Sequence, residues 1–214
     1  MADLTLVIGN KNYSSWSLRP WLALKMAKAT FREELIRLWQ PDTKATILAH
    51  SPAGQVPILK DGDLVVWESL AICEYVAERF PAAGLWPDDA KARAVARSMS
   101  TEMHGGFPSL RKELPMDIRA RHPMPNISAE AKANIERVCA IWREARQRFG
   151  GGGAMMFGRF SIADCMYAPV ATRFATYGVP LDPVCASYRD AVLALAPMKE
   201  WIAAAKAEPW SMAA

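Results

Sequence analysis

Serine hydroxyl groups crowd the start of the first predicted helix, between Ser14 and Ser17. The N-terminus of a helix presents unpaired backbone N–H groups and the positive end of the helix dipole. Hydroxyl side chains at such a place either cap the helix or help to bind an anion. Ser14 and Ser15 are therefore the first candidates for chemistry in this chain.

A second hydroxyl group, that of Ser69, stands in the first turn of another predicted helix, which continues to Phe80. Glu68 comes directly before it. The unpaired N–H groups at this helix start are suited to hold a carboxylate. The chain thus offers two helix starts at which hydroxyl groups and an anion can meet.

A predicted β-hairpin leads the chain to this second helix start. Residues 56–60 and 63–67 are short apolar, β-branched runs, and Asp61-Gly62 between them is a strong signal for a tight turn. The proline that opens the hairpin is tolerable in a strand that pairs on one side only. The candidate binding residues at the start of the hairpin are Gln55, Val56 and Pro57.

Cysteine and histidine usage excludes two kinds of site. The first of the 4 cysteines is Cys73, so no cysteine stands at the first helix start, where thiol–disulfide exchange would need one. The cysteines show no C-x-x-C spacing, which predicts reduced, mostly buried thiols. The 3 histidines lie far apart, so we expect no metal site.

Composition limits the partners of the protein. The net charge of +4 is small and diffuse, which argues against nucleic acid as a partner. No apolar run approaches the roughly 20 residues that span a bilayer, and the N-terminus has no signal-peptide pattern. We therefore expect a cytoplasmic protein without a membrane partner.

The periodicity of apolar residues divides the 214 residues into two parts. The first has the order strand, helix, strand, helix, strand, strand, helix, which is a thioredoxin-like arrangement. Its remaining elements are predicted at residues 4–9, 16–29, 31–39 and 42–50. Proline and glycine mark residues 81–89 as a linker.

Beyond the linker only helical patterns occur, with helices predicted at 89–113, 128–149, 161–176, 182–196 and 197–207. A Ser-x-x-Asp box at Ser161 to Asp164 reads as a helix cap without chemistry. The four glycines at 150–153 read as a flexible surface connection. The predicted fold class is an α/β N-terminal thioredoxin-like domain at 1–80 plus an all-α C-terminal helical bundle domain at 90–214.

The order Gln-Val-Pro, hairpin, Glu-Ser, helix resembles the glutathione-binding half of soluble glutathione transferases, and the helical half with its internal Ser-x-x-Asp box extends this resemblance over nearly the whole chain. It implies that Pro57 follows a cis peptide bond and that Val56 pairs with the cysteinyl part of glutathione. It also implies that Glu68 and Ser69 hold the γ-glutamyl end. Glutathione would be the co-substrate, no permanently bound cofactor is expected, and the protein would be a homodimer.

The first helix start is similar to the Ser-Ser-Cys-x-x-Arg-Val-Arg signature of the zeta class. The chain has Trp16 in place of the cysteine and Pro20-Trp21 in place of Val-Arg. This resemblance implies a serine-type transferase with Ser14 at the thiol, while Ser15 caps the helix or assists through its N–H group. Arg19 also matches the signature, and its expected role is structural.

The acceptor side is the least determined part of the predicted site. The residues that family analogy and position assign to it are Trp16, Met103, Phe107 and Arg111. Met103 and Phe107 recur at four-residue spacing, which by itself predicts core packing. The main prediction is transfer of the glutathione thiolate to a hydrophobic electrophile. The alternatives are a glutathione-dependent isomerase of the maleylacetoacetate type and a non-catalytic glutathione-binding module.

Overall fold

The computed structural model describes residues 4–211. Its first part is built on a four-stranded mixed sheet in the order β2-β1-β3-β4. β1 pairs in parallel with β2 and antiparallel with β3, which pairs antiparallel with β4. The strands are β1 (Leu4–Ile8), β2 (Arg32–Leu35), β3 (Ile58–Asp61) and β4 (Leu64–Trp67).

Three helices accompany this sheet: α1 (Ser15–Met26), α2 (Thr43–Leu48) and α3 (Ser69–Arg79). All three were predicted, and α1 ends earlier than expected, before Lys28 at φ 54°. β2 is shorter than the predicted 31–39, because the last ladder bond runs from Ile36 N to Ile8 O. The chain then leaves the sheet, and Asn10 Oδ1 accepts the N–H group of Leu38 at 2.8 Å.

The hairpin turn is displaced by one residue from its predicted position. Asp61 pairs with Leu64, so Gly62 and Asp63 are the two turn residues rather than Asp61 and Gly62. Gly62 has φ 61°, a conformation that glycine adopts without steric cost. The register therefore follows the residue that tolerates positive φ.

The second part consists of helices after a 3₁₀ turn at Pro81–Ala83, with two isolated β-bridges, Met155–Gly158 and Phe157–Arg159, before α7. The single helix predicted at 89–113 is interrupted at Gly106 and Phe107, which separate α4 from α5. The fold class is confirmed, and the helix predicted from residue 128 is capped by Ser128, whose hydroxyl accepts the N–H group of Ala131 at 3.1 Å. The helices are α4 (Ala90–Gly105), α5 (Pro108–Glu113), α6 (Ala129–Phe149), α7 (Ile162–Thr176), α8 (Pro183–Ala194) and α9 (Ala196–Ala207).

The core centres on α7, which is buried along nearly its whole length and packs against α1, α4 and α8. Its Ser161–Asp164 capping box is present with both reciprocal bonds. The glycines before α7 permit close backbone packing, because a Cβ on Gly153 would lie 2.1 Å from the carbonyl oxygen of Gly158. Within residues 4–211, no helix is long and apolar enough to cross a membrane.

Candidate active site

A cleft of about 760 Å³ lies between the two parts of the chain. This volume is within the usual range for sites that bind small molecules. The first part lines it with the start of α1, the stretch before β3 and the start of α3. The helical part contributes His104, Gly105, Arg111 and Arg173.

The serines at the start of α1 have distinct roles. Ser14 is the N-cap, and its Oγ accepts the N–H group of Ser17 at 3.4 Å. The Ser14 and Ser17 hydroxyl groups are hydrogen-bonded at 2.7 Å, and Ser17 Oγ also accepts the N–H group of Gly9 at 3.0 Å. The suggestion that Ser15 caps the helix is therefore wrong, because Ser15 is the first helical residue. Ser14 and Ser15 both line the cleft.

A buried arginine, Arg173, is hydrogen-bonded to Ser15. Arg173, from α7, donates through Nη2 to Ser15 Oγ at 3.3 Å and through Nε to Leu114 O at 2.9 Å. Burial, with Arg111 nearby, lowers the pKa of Arg173 to about 10. The guanidinium group is thus still charged at neutral pH, and it places a cation behind the start of α1.

The stretch before the hairpin and the start of α3 complete this side of the cleft. Gln55, Val56 and Pro57 line it, and the Val56–Pro57 peptide bond is cis. Glu68 precedes α3 at φ 67°, a left-handed conformation that is costly for a residue other than glycine. Ser69 is buried, so α3 begins at the cleft wall with its free N–H groups nearby.

Trp16 lies among cations at the floor of the cleft. The Cζ atoms of Arg19 and Arg111 lie 4.2 and 5.0 Å from its ring centroid, and the His104 ring lies at 5.3 Å. Burial, with Arg111 and Arg173 nearby, lowers the pKa of Arg19 to about 9. Burial and then Arg19 lower the pKa of His104, which favours its neutral form. Aromatic rings attract cations held above them, so Trp16 partly compensates these charges.

Acidic groups are scarce around these cations. Among the described residues that line the cleft, Glu68 is the one acidic side chain. Its carboxylate lies 3.4 Å from His104 Nε2 and is half exposed. Arg19 donates to Ser69 Oγ at 3.4 Å, and its buried Nε has no hydrogen-bond partner within residues 4–211. The cleft therefore has an excess of positive charge and favours anionic ligands.

Two predicted acceptor residues do not reach the cleft. Met103 is fully buried and Phe107 is 6% exposed, and both belong to the hydrophobic core. Met103 lies on the face of α4 that packs inward, whereas Phe107 lies beyond the end of α4, at the N-cap of α5 with φ 60°. His104 is one residue after Met103 and about 100° around the helix, which brings it to the cleft instead. The wall that the helical part gives to the cleft is consequently more polar than the sequence predicted.

Several cleft residues were missed by sequence reasoning, and His104, Arg173 and Trp39 are the most informative of them. His104 and Arg173 come from helices far apart in the sequence, and no local motif marks either of them. Trp39 also lines the cleft, where it has φ 59°, is 58% exposed and packs edge-on against Tyr13 with the ring centroids 5.5 Å apart. The strand predicted at 31–39 placed Trp39 in the sheet, whereas β2 ends at Leu35 and Trp39 lies in the loop beyond it.

The C-terminal segment holds the loop that precedes α1. The two carboxylate oxygens of Glu208 accept the backbone N–H groups of Lys11 at 2.6 Å and Asn12 at 3.0 Å. Arg119 donates to Glu208 O at 2.6 Å and to the hydroxyl oxygen of Tyr13 at 2.9 Å. These bonds fix the chain just before Ser14. Among the described residues, no cluster of three or more His, Cys, Asp or Glu side chains could hold a metal ion.

Known protein families match both parts of the chain. The model of the glutathione S-transferase N-terminal domain matches residues 13–79, and that of the C-terminal domain matches residues 125–204. The chain is 26% identical to human glutathione S-transferase omega-2 over 203 residues, covering 94% of this chain and 76% of that protein. It is 34% identical to a probable maleylacetoacetate isomerase of Caenorhabditis elegans over 96 residues, which cover 45% and 44% of the two chains.

Solved structures share the fold. A glutathione transferase homologue from Burkholderia, crystallised with bound glutathione, superimposes with a TM-score of 0.72. The sequence identity is 22%, and the match covers 96% of this chain and 100% of the Burkholderia chain. At this identity the likeness concerns the fold.

Proposed function

This chain belongs to the glutathione S-transferase family, and from that premise we propose that it ionises glutathione at the start of α1 and transfers the thiolate to an electrophile. One observation carries the proposal. A single cleft brings together the hydroxyl groups of Ser14 and Ser15, the stretch at Gln55–Pro57 and the start of α3 at Glu68–Ser69.

The γ-glutamyl and cysteinyl parts of glutathione have matching groups in the cleft. The γ-glutamyl carboxylate is placed at the start of α3, where Ser69 and the free N–H groups act as donors and Arg19 lies behind them. The γ-glutamyl ammonium group is placed at the Glu68 carboxylate. The cysteinyl peptide is placed along the backbone of Val56, which directs its sulfur toward the start of α1.

Ionisation of the thiol is favoured by hydrogen bonding, the helix dipole and charge. Ser14 is assigned as the donor to the sulfur. In the structure the Ser14 hydroxyl donates to Ser17 Oγ at 2.7 Å, and Ser17 Oγ also accepts the N–H group of Gly9 at 3.0 Å. Rotation of both hydroxyl groups reverses this bond, so that Ser17 donates to Ser14 Oγ. The Ser14 hydroxyl proton is then free to turn toward the sulfur. Arg173 adds a buried cation behind Ser15.

The transfer step is a substitution or addition by the thiolate. The thiol proton passes to solvent, and a sulfur–carbon bond forms to the electrophile. In a substitution, the carbon–leaving-group bond breaks and the leaving group departs with its electron pair. In an addition, a π bond of the electrophile breaks, and the carbanion that results takes up a proton from solvent. Holding the thiolate beside the acceptor wall of Trp16 and Arg111 supplies proximity.

Two measurements test this function. The protein is passed over immobilised glutathione and eluted with free glutathione, and turnover is then measured with chlorodinitrobenzene and with further electrophiles. Specific retention and turnover are expected. Retention without turnover of any electrophile would favour a non-catalytic glutathione-binding module, and isomerisation of maleylacetoacetate without transfer would favour the isomerase alternative.

The assembly we propose is a homodimer in which the edge of the sheet meets the helices that follow the linker of a second copy. β4 is an edge strand, and its Leu64 and Trp67 side chains are 44% and 48% exposed. Exposed apolar side chains on an edge strand favour a covering partner. Sedimentation at micromolar concentration is expected to give twice the 23.7 kDa chain mass, and a mass equal to one chain would exclude the dimer.

A further inference from the structure

Three arginine side chains surround the start of α1, and each can be matched to a different negative charge. Arg19 is 1% exposed and donates to Ser69 Oγ at 3.4 Å, which places it behind the γ-glutamyl carboxylate of bound glutathione. Arg173 is 4% exposed and donates to Ser15 Oγ at 3.3 Å, which places it behind the thiolate. Two of the three cations are thus assigned to the γ-glutamyl carboxylate and the thiolate of glutathione. The glycyl carboxylate, at the opposite end of the tripeptide from the γ-glutamyl group at the start of α3, is not assigned to an arginine.

Arg111 has no such partner. Its guanidinium group donates to the backbone carbonyl groups of Met103, His104 and Gly106 at the end of α4. These acceptors are neutral. No acidic side chain within residues 4–211 is hydrogen-bonded or ion-paired to Arg111, and its buried Nε atom has no hydrogen-bond partner there.

The position of Arg111 puts this uncompensated charge on the acceptor wall. Arg111 lines the cleft from the helical part, and its Cζ atom lies 5.0 Å from the centroid of the Trp16 ring. Burial lowers the pKa of Arg111, as expected where no anion compensates the charge. An arginine beside an aromatic face is suited to a planar ligand that carries a carboxylate.

We propose that the electrophilic acceptor of this enzyme is an anion, and that Arg111 binds its carboxylate while Trp16 packs against its apolar or aromatic body. This inference rests on the proposed transferase function and narrows its substrate class. A charged acceptor differs from the hydrophobic electrophile expected from the sequence, because Met103 and Phe107 lie in the core and do not line the cleft.

The test uses two product-like ligands that differ in charge and hardly in shape, S-(para-carboxybenzyl)glutathione and S-(para-carbamoylbenzyl)glutathione. Calorimetry gives the ratio of their dissociation constants for the wild type, Arg111→Gln and Arg111→Lys. Arg93→Gln is the matched control, because Arg93 donates to the backbone carbonyl groups of Pro87 and Asp88 away from the cleft. Since both ligands bind the same variant, a general effect on folding cancels in the ratio.

The wild type and Arg93→Gln are expected to prefer the carboxylate by roughly tenfold to a hundredfold, as for one hydrogen bond to a charged group. Arg111→Gln is expected to lose this preference, and Arg111→Lys to retain part of it. Equal affinities in the wild type, or a preference that both Arg111 variants retain in full, would overturn the proposal.

Turnover measurements distinguish an acceptor that is not an anion from a protein that has no transferase activity. Turnover of chloronitrobenzoate and chloronitrobenzamide is measured in parallel, each divided by its uncatalysed rate. Turnover of both without a preference would overturn the anionic acceptor and leave the transferase intact. A carboxylate preference in binding without any turnover would support the Arg111 site and contradict the transferase.

Discussion

Replacing Ser14 perturbs the proposed thiol chemistry most directly. In the structure, Ser14 supplies one hydroxyl group at the cleft, while Ser15 remains held by Arg173 at 3.3 Å. A hydrogen bond to a charged group contributes about 1.5–3 kcal/mol, which corresponds to about one to two pKa units. Removing the donor destabilises the thiolate, so Ser14→Ala should raise the thiol pKa by that amount.

The assay is the pH profile of kcat/KM for the acceptor at saturating glutathione, which reports the ionisation of the enzyme–glutathione complex. The midpoint for Ser14→Ala is expected about one to two units above that of the wild type. Affinity for glutathione should change little, because the start of α3 and the Val56 backbone remain in place. Tyr13→Phe should leave the midpoint nearly unchanged.

Capping must be separated from thiol ionisation in this experiment, because Ser14 is also the N-cap of α1. Ser14→Gly removes the hydroxyl group but preserves most of the capping free energy, whereas Ser14→Ala costs about 1 kcal/mol of stability. A midpoint shift shared by both variants assigns the effect to the hydroxyl group. A large shift in Ser15→Ala, with none in Ser14→Ala, would refute the assignment of Ser14.

Three further predictions concern the support of the site. Glu208→Gln should raise KM for glutathione by about tenfold without moving the pH midpoint, because it weakens the bonds to Lys11 N and Asn12 N but leaves the donor to sulfur intact; an unchanged KM in steady-state kinetics would contradict this positioning role. Arg19→Met should weaken glutathione binding by about tenfold in calorimetry, whereas unchanged binding would remove Arg19 from the carboxylate site. Asp164→Ala should lower the free energy of unfolding in urea by about 3 kcal/mol or more, because the Tyr188 hydroxyl and buried N–H groups lose their acceptor. The control Asp182→Ala, a partly exposed cap, should cost about 1 kcal/mol, and equal losses would show that burial adds nothing.

Local rules predicted most of the fold. Caps such as Ser128 and the box at Ser161–Asp164 lie within three residues of the N–H groups they satisfy, so sequence spacing alone locates them. The hairpin was found but shifted by one residue, because Asp61-Gly62 and Gly62-Asp63 are both plausible turns. Pairing of Asp61 with Leu64 decides between them.

The side chains that the helical part contributes to the cleft could not all be predicted in the same way. Arg173 reaches Ser15 across 158 positions of sequence, and only the packing of α7 on α1 brings them together. Whether Met103 or His104 faces the cleft depends on how α4 is rotated about its axis. A four-residue spacing shows that the helix has an apolar face but does not show which neighbouring element that face contacts. The residues proposed to hold glutathione lie in short contiguous stretches and could therefore be predicted from sequence, whereas His104 and Arg173 come from helices far apart in the chain.

Direct titration of the thiol in the wild-type complex tests the central claim. The ultraviolet absorbance of the thiolate is followed with pH for glutathione alone and for glutathione bound to the protein. An unperturbed thiol titrates near a pKa of about 8.5. We predict a midpoint at least about one unit lower in the complex, since the α1 N-terminus, Ser14 and Arg173 all favour the thiolate. Saturable binding with an unshifted midpoint would contradict it.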